Sequence, residues 1–155
     1  MPDIILHHYT TSPFAEKIRA IMGYKNLAWK SVYQPMIMPK PDLQSLTGGY
    51  RRIPVLQIGN QVVCDTMLIC DVLEHLSPEK TLYPQGQNGL ARTVAQWADQ
   101  QLFPVAMAFN FQPAGAAHVF KDQPPENLKA FVADRQAMRG GAPRMHFADA
   151  APEPQ

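Results

Sequence analysis

The chain has 155 residues, 46% of them apolar and 17% charged, with a formal net charge of +1. That length holds one ordinary domain, or a small domain plus part of a second, with enough apolar material for a real core. The near-neutral balance offers no strong field to nucleic acid or an anionic membrane. No apolar run approaches a transmembrane span, and MPDIILHHYT lacks a signal-peptide pattern, so a cytoplasmic protein is expected.

Ile4 to Tyr9 is a short apolar run with β-branched and aromatic residues and reads as a buried strand. After TTSP, Phe14, Ile18, Ile21 and Met22 fall at i, i+4, i+7 and i+8, one face of a helix. Ser12 is placed as its N-cap, Pro13 as its first residue and Gly23 at or near its end. Leu27 to Tyr33 reads as a second strand, and the β-α-β order implies a parallel pair. The Pro- and Gly-rich stretch that follows leaves room for a short helix around Asp42 to Leu46.

Pro54 to Ile58 and Gln61 to Cys64 are two strands joined by Gly59-Asn60, a hairpin signal. Thr66 opens another helix, with Met67, Ile69, Leu73 and Leu76 among its apolar positions. SPEKTLYPQGQNG is a polar linker. Beyond it, Leu90, Val94, Trp97, Ala98 and Leu102 mark a longer helix that Pro104 kinks or ends. Pro125 to Met138 carries Leu128, Phe131 and Val132 on one face, with Gly140-Gly141 closing it. APRMHFADAAPEPQ has no clear period and reads as a loop or loose tail.

Cys64 and Cys70 form no C-x-x-C and are too few for a disulfide framework, so a reduced setting is expected, with both packed as small apolar residues. The histidines are scattered, and the adjacent His7 and His8 point to opposite faces of a strand. No metal site is expected.

Four features converge on one corner of the β-α-β-β-α unit. Ser12 begins the first helix. Ile53-Pro54 enters a strand, where a proline invites a cis bond and leaves the Ile53 backbone free to pair with an extended, peptide-like ligand. Asp65 and Thr66 stand at the mouth of the next helix, where an Asp takes an ammonium group while Thr66 and the helix amides take a carboxylate. Lys40, in the loop before the short helix, suits a second carboxylate. Each also has a plainer reading: a cap, a trans proline on an edge strand, a helix start, a solvated charge. Trp97 and its stripe read as core or subunit contact.

With these motifs the chain resembles the glutathione transferase family. SPFAEKIR is similar to the omega-class segment Cys-Pro-Phe-Ala-Glu followed by basic residues, with Ser12 in place of the cysteine, and the position also matches the first serine of the zeta-class Ser-Ser-Cys motif. Lys40-Pro41-Asp42 matches the omega-class Lys-Pro-Glu, and IPVL the Val-Pro-x-Leu signature. Asp65-Thr66 stands where the family has Glu or Gln followed by Ser. The resemblance is good from residue 3 to about residue 103 and poor afterwards.

It implies an α/β thioredoxin-like glutathione-binding domain (β-α-β-α-β-β-α) at 1–77, a linker at 78–87, and an incomplete all-α region with a loose tail at 88–155. It implies glutathione as co-substrate, held by Lys40 at its glycyl carboxylate, by the Ile53 backbone beside Pro54 at its cysteinyl part, and by Asp65 and Thr66 at its γ-glutamyl end. Ser12 would donate a hydrogen bond to the sulfur and favour the thiolate, which attacks a small electrophile. Tyr9 is a rival hydroxyl, and Thr10 and Thr11 weaker ones.

Serine in place of cysteine argues against thioltransferase or dehydroascorbate reductase chemistry, which needs a protein thiol for a mixed disulfide. The alternatives are a non-catalytic glutathione-binding or interaction module and a zeta-type glutathione-dependent isomerase. A homodimer is expected by resemblance. The region after residue 88 is too short for a full helical domain, so the chain is expected to be a truncated version or a fragment with an open pocket.

Overall fold

A computed structural model describes residues 2–140, 142 and 145–150. The chain divides into two compact units, Met1–Leu82 and Tyr83–Gln155. The first runs β1 (Ile4–His8), α1 (Pro13–Tyr24), β2 (Lys30–Tyr33), α2 (Pro41–Thr47), β3 (Val55–Ile58), β4 (Gln61–Cys64) and α3 (Thr66–Leu76). This is the thioredoxin-like order expected from the sequence. The four strands form one sheet in the order β2-β1-β3-β4. β1 pairs parallel with β2, while β3 runs antiparallel to both β1 and β4.

Strand alternation sends Leu6 and Leu56 to the same face, where they meet Ile18 and Met22 of α1 and Ile69 and Leu73 of α3 in a fully buried cluster. Each such side chain contributes roughly 1.5–3 kcal/mol by leaving water, which makes this cluster the anchor of the unit. Val55, on the alternate face, and Leu43 of α2 are also fully buried.

The local signals hold at the end of α1 and at the hairpin, and the start of β2 moves for a physical reason. Gly23 is the penultimate residue of α1, near its end as expected, and the left-handed residue after the helix is Asn26, at φ 55°. Asparagine tolerates that conformation, so glycine is not needed there. β2 starts at Lys30, because Leu27 is tied back to α1 by its N–H to the Met22 carbonyl at 2.9 Å. The Gly59-Asn60 hairpin forms as expected, with Gly59 at φ 58°.

A buried cross-link closes the unit at the far end of α1. Lys25 Nζ, whose side chain is fully shielded, donates to Glu74 Oε2 and to the Ser77 and Lys80 carbonyls, each at 2.7 Å. Its three protons are thereby all used.

The second unit holds α4 (Asn88–Trp97), α5 (Phe103–Asn110), α6 (Pro113–Val119), α7 (Pro125–Arg139) and α8 (Phe147–Ala150). At Pro104, expected to kink or end the helix, the chain does not end it: a π turn over Ala98–Leu102 precedes the proline and the helix continues through it. Phe103 N–H bonds to the Ala98 carbonyl, one residue farther back than in an α-helix. Widening the turn just before the proline relieves the clash its ring would make with the carbonyl four residues earlier. α5 and α6 were not anticipated from the sequence, and α8 forms within the stretch read as a loose tail. Gly141 and residues 151–155 lie outside the described residues.

Phe131 of α7 stacks on Phe111 at 5.9 Å and tilts against Phe120 at 5.4 Å, with the Arg135 guanidinium 4.3 Å over its ring. No helix among the described residues is long and apolar enough to cross a membrane.

Candidate functional site

Strand pairing brings the sequence-predicted residues to one end of the sheet. β1 and β2 run parallel, so both C-terminal ends, His8 and Tyr33, lie on the same side. β3 is antiparallel and begins there, with Val55 opposite His7. β4 ends there, with Cys64 opposite Val55. Ser12 follows β1, Ile53-Pro54 precedes β3, Asp65-Thr66 follows β4, and Lys40 lies beyond β2. One corner therefore collects them all.

Ser12 is the N-cap of α1, with extended backbone (φ −78°, ψ 116°) and Pro13 after it. Its Oγ accepts from the Ala15 N–H at 3.2 Å and its carbonyl accepts from the Glu16 N–H at 2.9 Å. A cap of this kind contributes about 1 kcal/mol. The cap uses an oxygen lone pair, so the hydroxyl proton stays available for donation. Ser12 is only 3% exposed. A tight turn, Ser12 N–H to the Tyr9 carbonyl at 3.2 Å, places it at the end of β1. Tyr9 itself is partly exposed.

The Ile53–Pro54 peptide bond is cis. Pro54 is buried, and no backbone hydrogen bond among the described residues engages Ile53. A second cis bond, Met38–Pro39, just before Lys40, was not foreseen. The sequence signal for it was the paired prolines of Met38-Pro39-Lys40-Pro41.

Lys40 is not a solvated surface charge: it is 3% exposed, and its Nζ donates to the Arg51 carbonyl at 3.2 Å. That bond ties the α2 entry loop to the segment leading into Ile53-Pro54. Asp65 caps α3 through Oδ1, which accepts from the Met67 N–H at 2.8 Å. Its backbone sits at φ 75°, an unusual conformation for a residue with a Cβ and one that clusters at functional sites. Thr66 is buried as the first residue of α3. Ser12 and Asp65 thus mark two helix N-termini, both partially positive, at the same sheet end.

Tyr50 and Cys64, the latter expected only as a small packed residue, stand beside these groups. Burial, then the Cys64 thiol, push the Tyr50 hydroxyl above its ordinary value; nearby Arg52 opposes this and Asp65 adds to it. Burial likewise pushes the Cys64 thiol up, keeping it protonated and a poor nucleophile.

The match to known proteins follows this geometry. Residues 6–81 match the family model described as glutathione S-transferase, N-terminal domain. A GST-like protein from Pseudomonas syringae is 42% identical, with a TM-score of 0.70 over 97% of this chain and 55% of that one. Glutathione S-transferase U4 of Arabidopsis thaliana is 22% identical over 67% of this chain and 47% of its own length. Pyrimidodiazepine synthase of Drosophila melanogaster is 28% identical over 55% and 39% respectively. Rice GST1, solved in complex with glutathione, shares the fold at 20% identity, with a TM-score of 0.62 over 96% of this chain and 71% of that one. The chain spans less than half the length of these two curated relatives. Its first unit belongs to the glutathione S-transferase family, as an N-terminal domain of that family.

Proposed function

We propose that the chain binds glutathione at this corner and that Ser12 holds the glutathione sulfur as a thiolate for transfer to a small electrophile. The observation that carries the reading is the meeting of the Ser12-capped α1, the Ile53-Pro54 segment and the Asp65-capped α3 at one sheet end. The family match and the glutathione complex of the rice relative support the ligand.

The tripeptide extends along the corner. The Ile53 N–H and C=O pair with its cysteinyl backbone. The Asp65 carboxylate takes the γ-glutamyl ammonium, while Thr66 and the first amides of α3 take the neighbouring carboxylate. Lys40 is assigned to the glycyl carboxylate.

A free thiol titrates near pKa ~8.5, so unbound glutathione is mostly protonated at neutral pH. Moving it down by ~2 units needs about 2.7 kcal/mol of differential stabilisation, within reach of one hydroxyl hydrogen bond and a helix N-terminus together. The thiolate then donates its electron pair to the electrophilic carbon, forming a C–S bond, and the displaced pair leaves with the leaving group. Serine polarises and is not the nucleophile. Tyr9 is the alternative hydroxyl.

The alternative reading is a non-catalytic glutathione-binding module built on the same corner. The zeta-type isomerase reading rests on Ser12 alone. We assign the protein to the cytoplasm, and we assign it a homodimer on the strength of α4, where Leu90, Val94 and Trp97 form an i, i+4, i+7 stripe with each residue more than half exposed.

Isothermal titration with glutathione tests the binding step common to all three readings. Saturable binding supports them, and no heat at millimolar ligand would sink them together.

A further inference from the structure

The turn that carries Ser12 is held from behind by a chain of polar groups that the catalytic reading does not use. Arg19, two turns into α1, reaches back with Nη2 to the Thr10 carbonyl at 2.9 Å and with Nη1 to His8 Nδ1 at 2.9 Å. Its Nε and Nη2 also bond the Glu16 carboxylate on the same helix. On the other side of the imidazole, His8 Nε2 lies 2.7 Å from Ser31 Oγ of β2.

A guanidinium has donors only, so the Nδ1 it faces carries no proton. The ring is therefore neutral, and its hydrogen sits on Nε2, donated to Ser31. His8 is 3% exposed, edge-on to Trp29 at 5.6 Å and tilted against Tyr33 at 5.1 Å.

We propose that His8 and Arg19 are positioning residues, a strut that fixes the Thr10–Ser12 turn, and that protonation of His8 releases it. A proton on Nδ1 turns the acceptor into a donor aimed at another donor and sets two cations face to face. The Arg19 Nη1 bond breaks, and the guanidinium loses the geometry that serves the Thr10 carbonyl. α1 itself survives, because its cap bond from Ala15 N–H to Ser12 does not pass through Arg19.

The groups facing the imidazole settle the direction of its titration. Burial, then the Arg19 charge, hold it below the ordinary histidine value; a backbone hydrogen bond at Tyr9 opposes this and neighbouring His7 adds to it. From β2, Tyr33 and Ser31 face it. The Glu16 carboxylate binds the guanidinium and none of its bonds reaches His8. The strut therefore holds at neutral pH and opens only as the pH falls below the ordinary histidine value. Its consequence for sulfur positioning rests on the glutathione reading; the strut itself does not.

Nuclear magnetic resonance of the ligand-free chain, titrated downward from about pH 8 until the His8 imidazole has changed charge, tests it directly. The imidazole of His8 is expected to titrate with a midpoint below ~6.5, and the Thr10, Thr11 and Ser12 amides to shift with that same midpoint. In His8→Asn, whose side-chain oxygen still accepts from Arg19 but does not titrate, that shift is lost. In Arg19→Met the three amides sit at their acid-form positions at every pH.

Wild-type amides that ignore the His8 titration, or that still follow the same midpoint in His8→Asn, would overturn the strut. A parallel glutathione titration separates the two ideas. Absent binding removes the glutathione reading, while the ligand-free shifts still decide the strut.

Discussion

The Lys25–Glu74 cross-link makes a quantitative prediction in which the two halves of one pair behave differently. Lys25→Met keeps the aliphatic stem and removes the charge. It leaves the Ser77 and Lys80 carbonyls without that donor, at about 1 kcal/mol each. Glu74 loses one partner but keeps the Thr81 hydroxyl and the Leu82 N–H and is 20% exposed, so its added cost is small. The sum is about 2–3 kcal/mol. Glu74→Gln instead strands a fully shielded ammonium without its counter-charge, which costs about 3–5 kcal/mol.

Urea unfolding followed by Trp29 fluorescence in a Trp97→Phe background reads the first unit, with the shift in midpoint at constant m giving the difference. The exposed Lys30–Asp3 pair is the internal control, and Lys30→Ala should cost no more than ~1 kcal/mol. A Glu74→Gln cost as small as that control would refute the claim that this lysine is buried and bound.

The pH dependence of the same pair has a definite sign. Burial pushes the Glu74 carboxyl up, but hydrogen bonds from Lys25, Thr81 and the Leu82 amide, with the Lys25 charge, outweigh it and hold the group below its ordinary value. In the acid range the unfolded chain binds this proton more readily than the folded one. The stabilisation is therefore complete above the unfolded carboxyl value of ~4.3 and is lost as the pH falls through the folded one. The wild-type advantage over Glu74→Gln should shrink over that window; an advantage unchanged by acid would contradict the assignment.

Two further outcomes are expected in the helical unit. A Cβ at Gly115 would collide with the Asn110 carbonyl oxygen, a backbone atom, so Gly115→Ala should destabilise the α5–α6 junction by about 1–3 kcal/mol; thermal unfolding unchanged by that substitution would refute the close approach. If the α4 stripe joins two copies, sedimentation equilibrium should show a dimer that Val94→Glu converts to monomer, whereas a wild-type monomer at all concentrations would remove the homodimer.

The first unit was legible because its signals are local and mutually consistent. Phe14, Ile18 and Met22 fix one helix face, Gly59-Asn60 fixes a hairpin, and Ser12-Pro13 marks a helix start. Once those elements stand, strand order alone gathers Ser12, Pro54 and Asp65 at one end. The Lys40 environment was not legible, because its burial depends on the Arg51 carbonyl eleven residues away and no periodicity reports such a contact. His8 and Arg19 were missed for the same reason: their bonds join a strand end to the second turn of a helix.

In the second unit, the helix does not end at Pro104, because a π turn offers the chain a way through a proline that the usual helix rule does not consider. α5 and α6 escaped notice because Phe103–Asn110 is apolar on nearly every side and Pro113–Val119 is short, so neither shows a clear stripe.

The central claim is that Ser12 lowers the pKa of a bound glutathione thiol, and the ultraviolet absorbance of the thiolate measures it. In wild-type complex the thiol should titrate ~2 units below the free value of ~8.5, and in Ser12→Ala most of that shift should vanish. A bound thiol that titrates identically in Ser12→Ala would contradict the account and transfer the role to Tyr9.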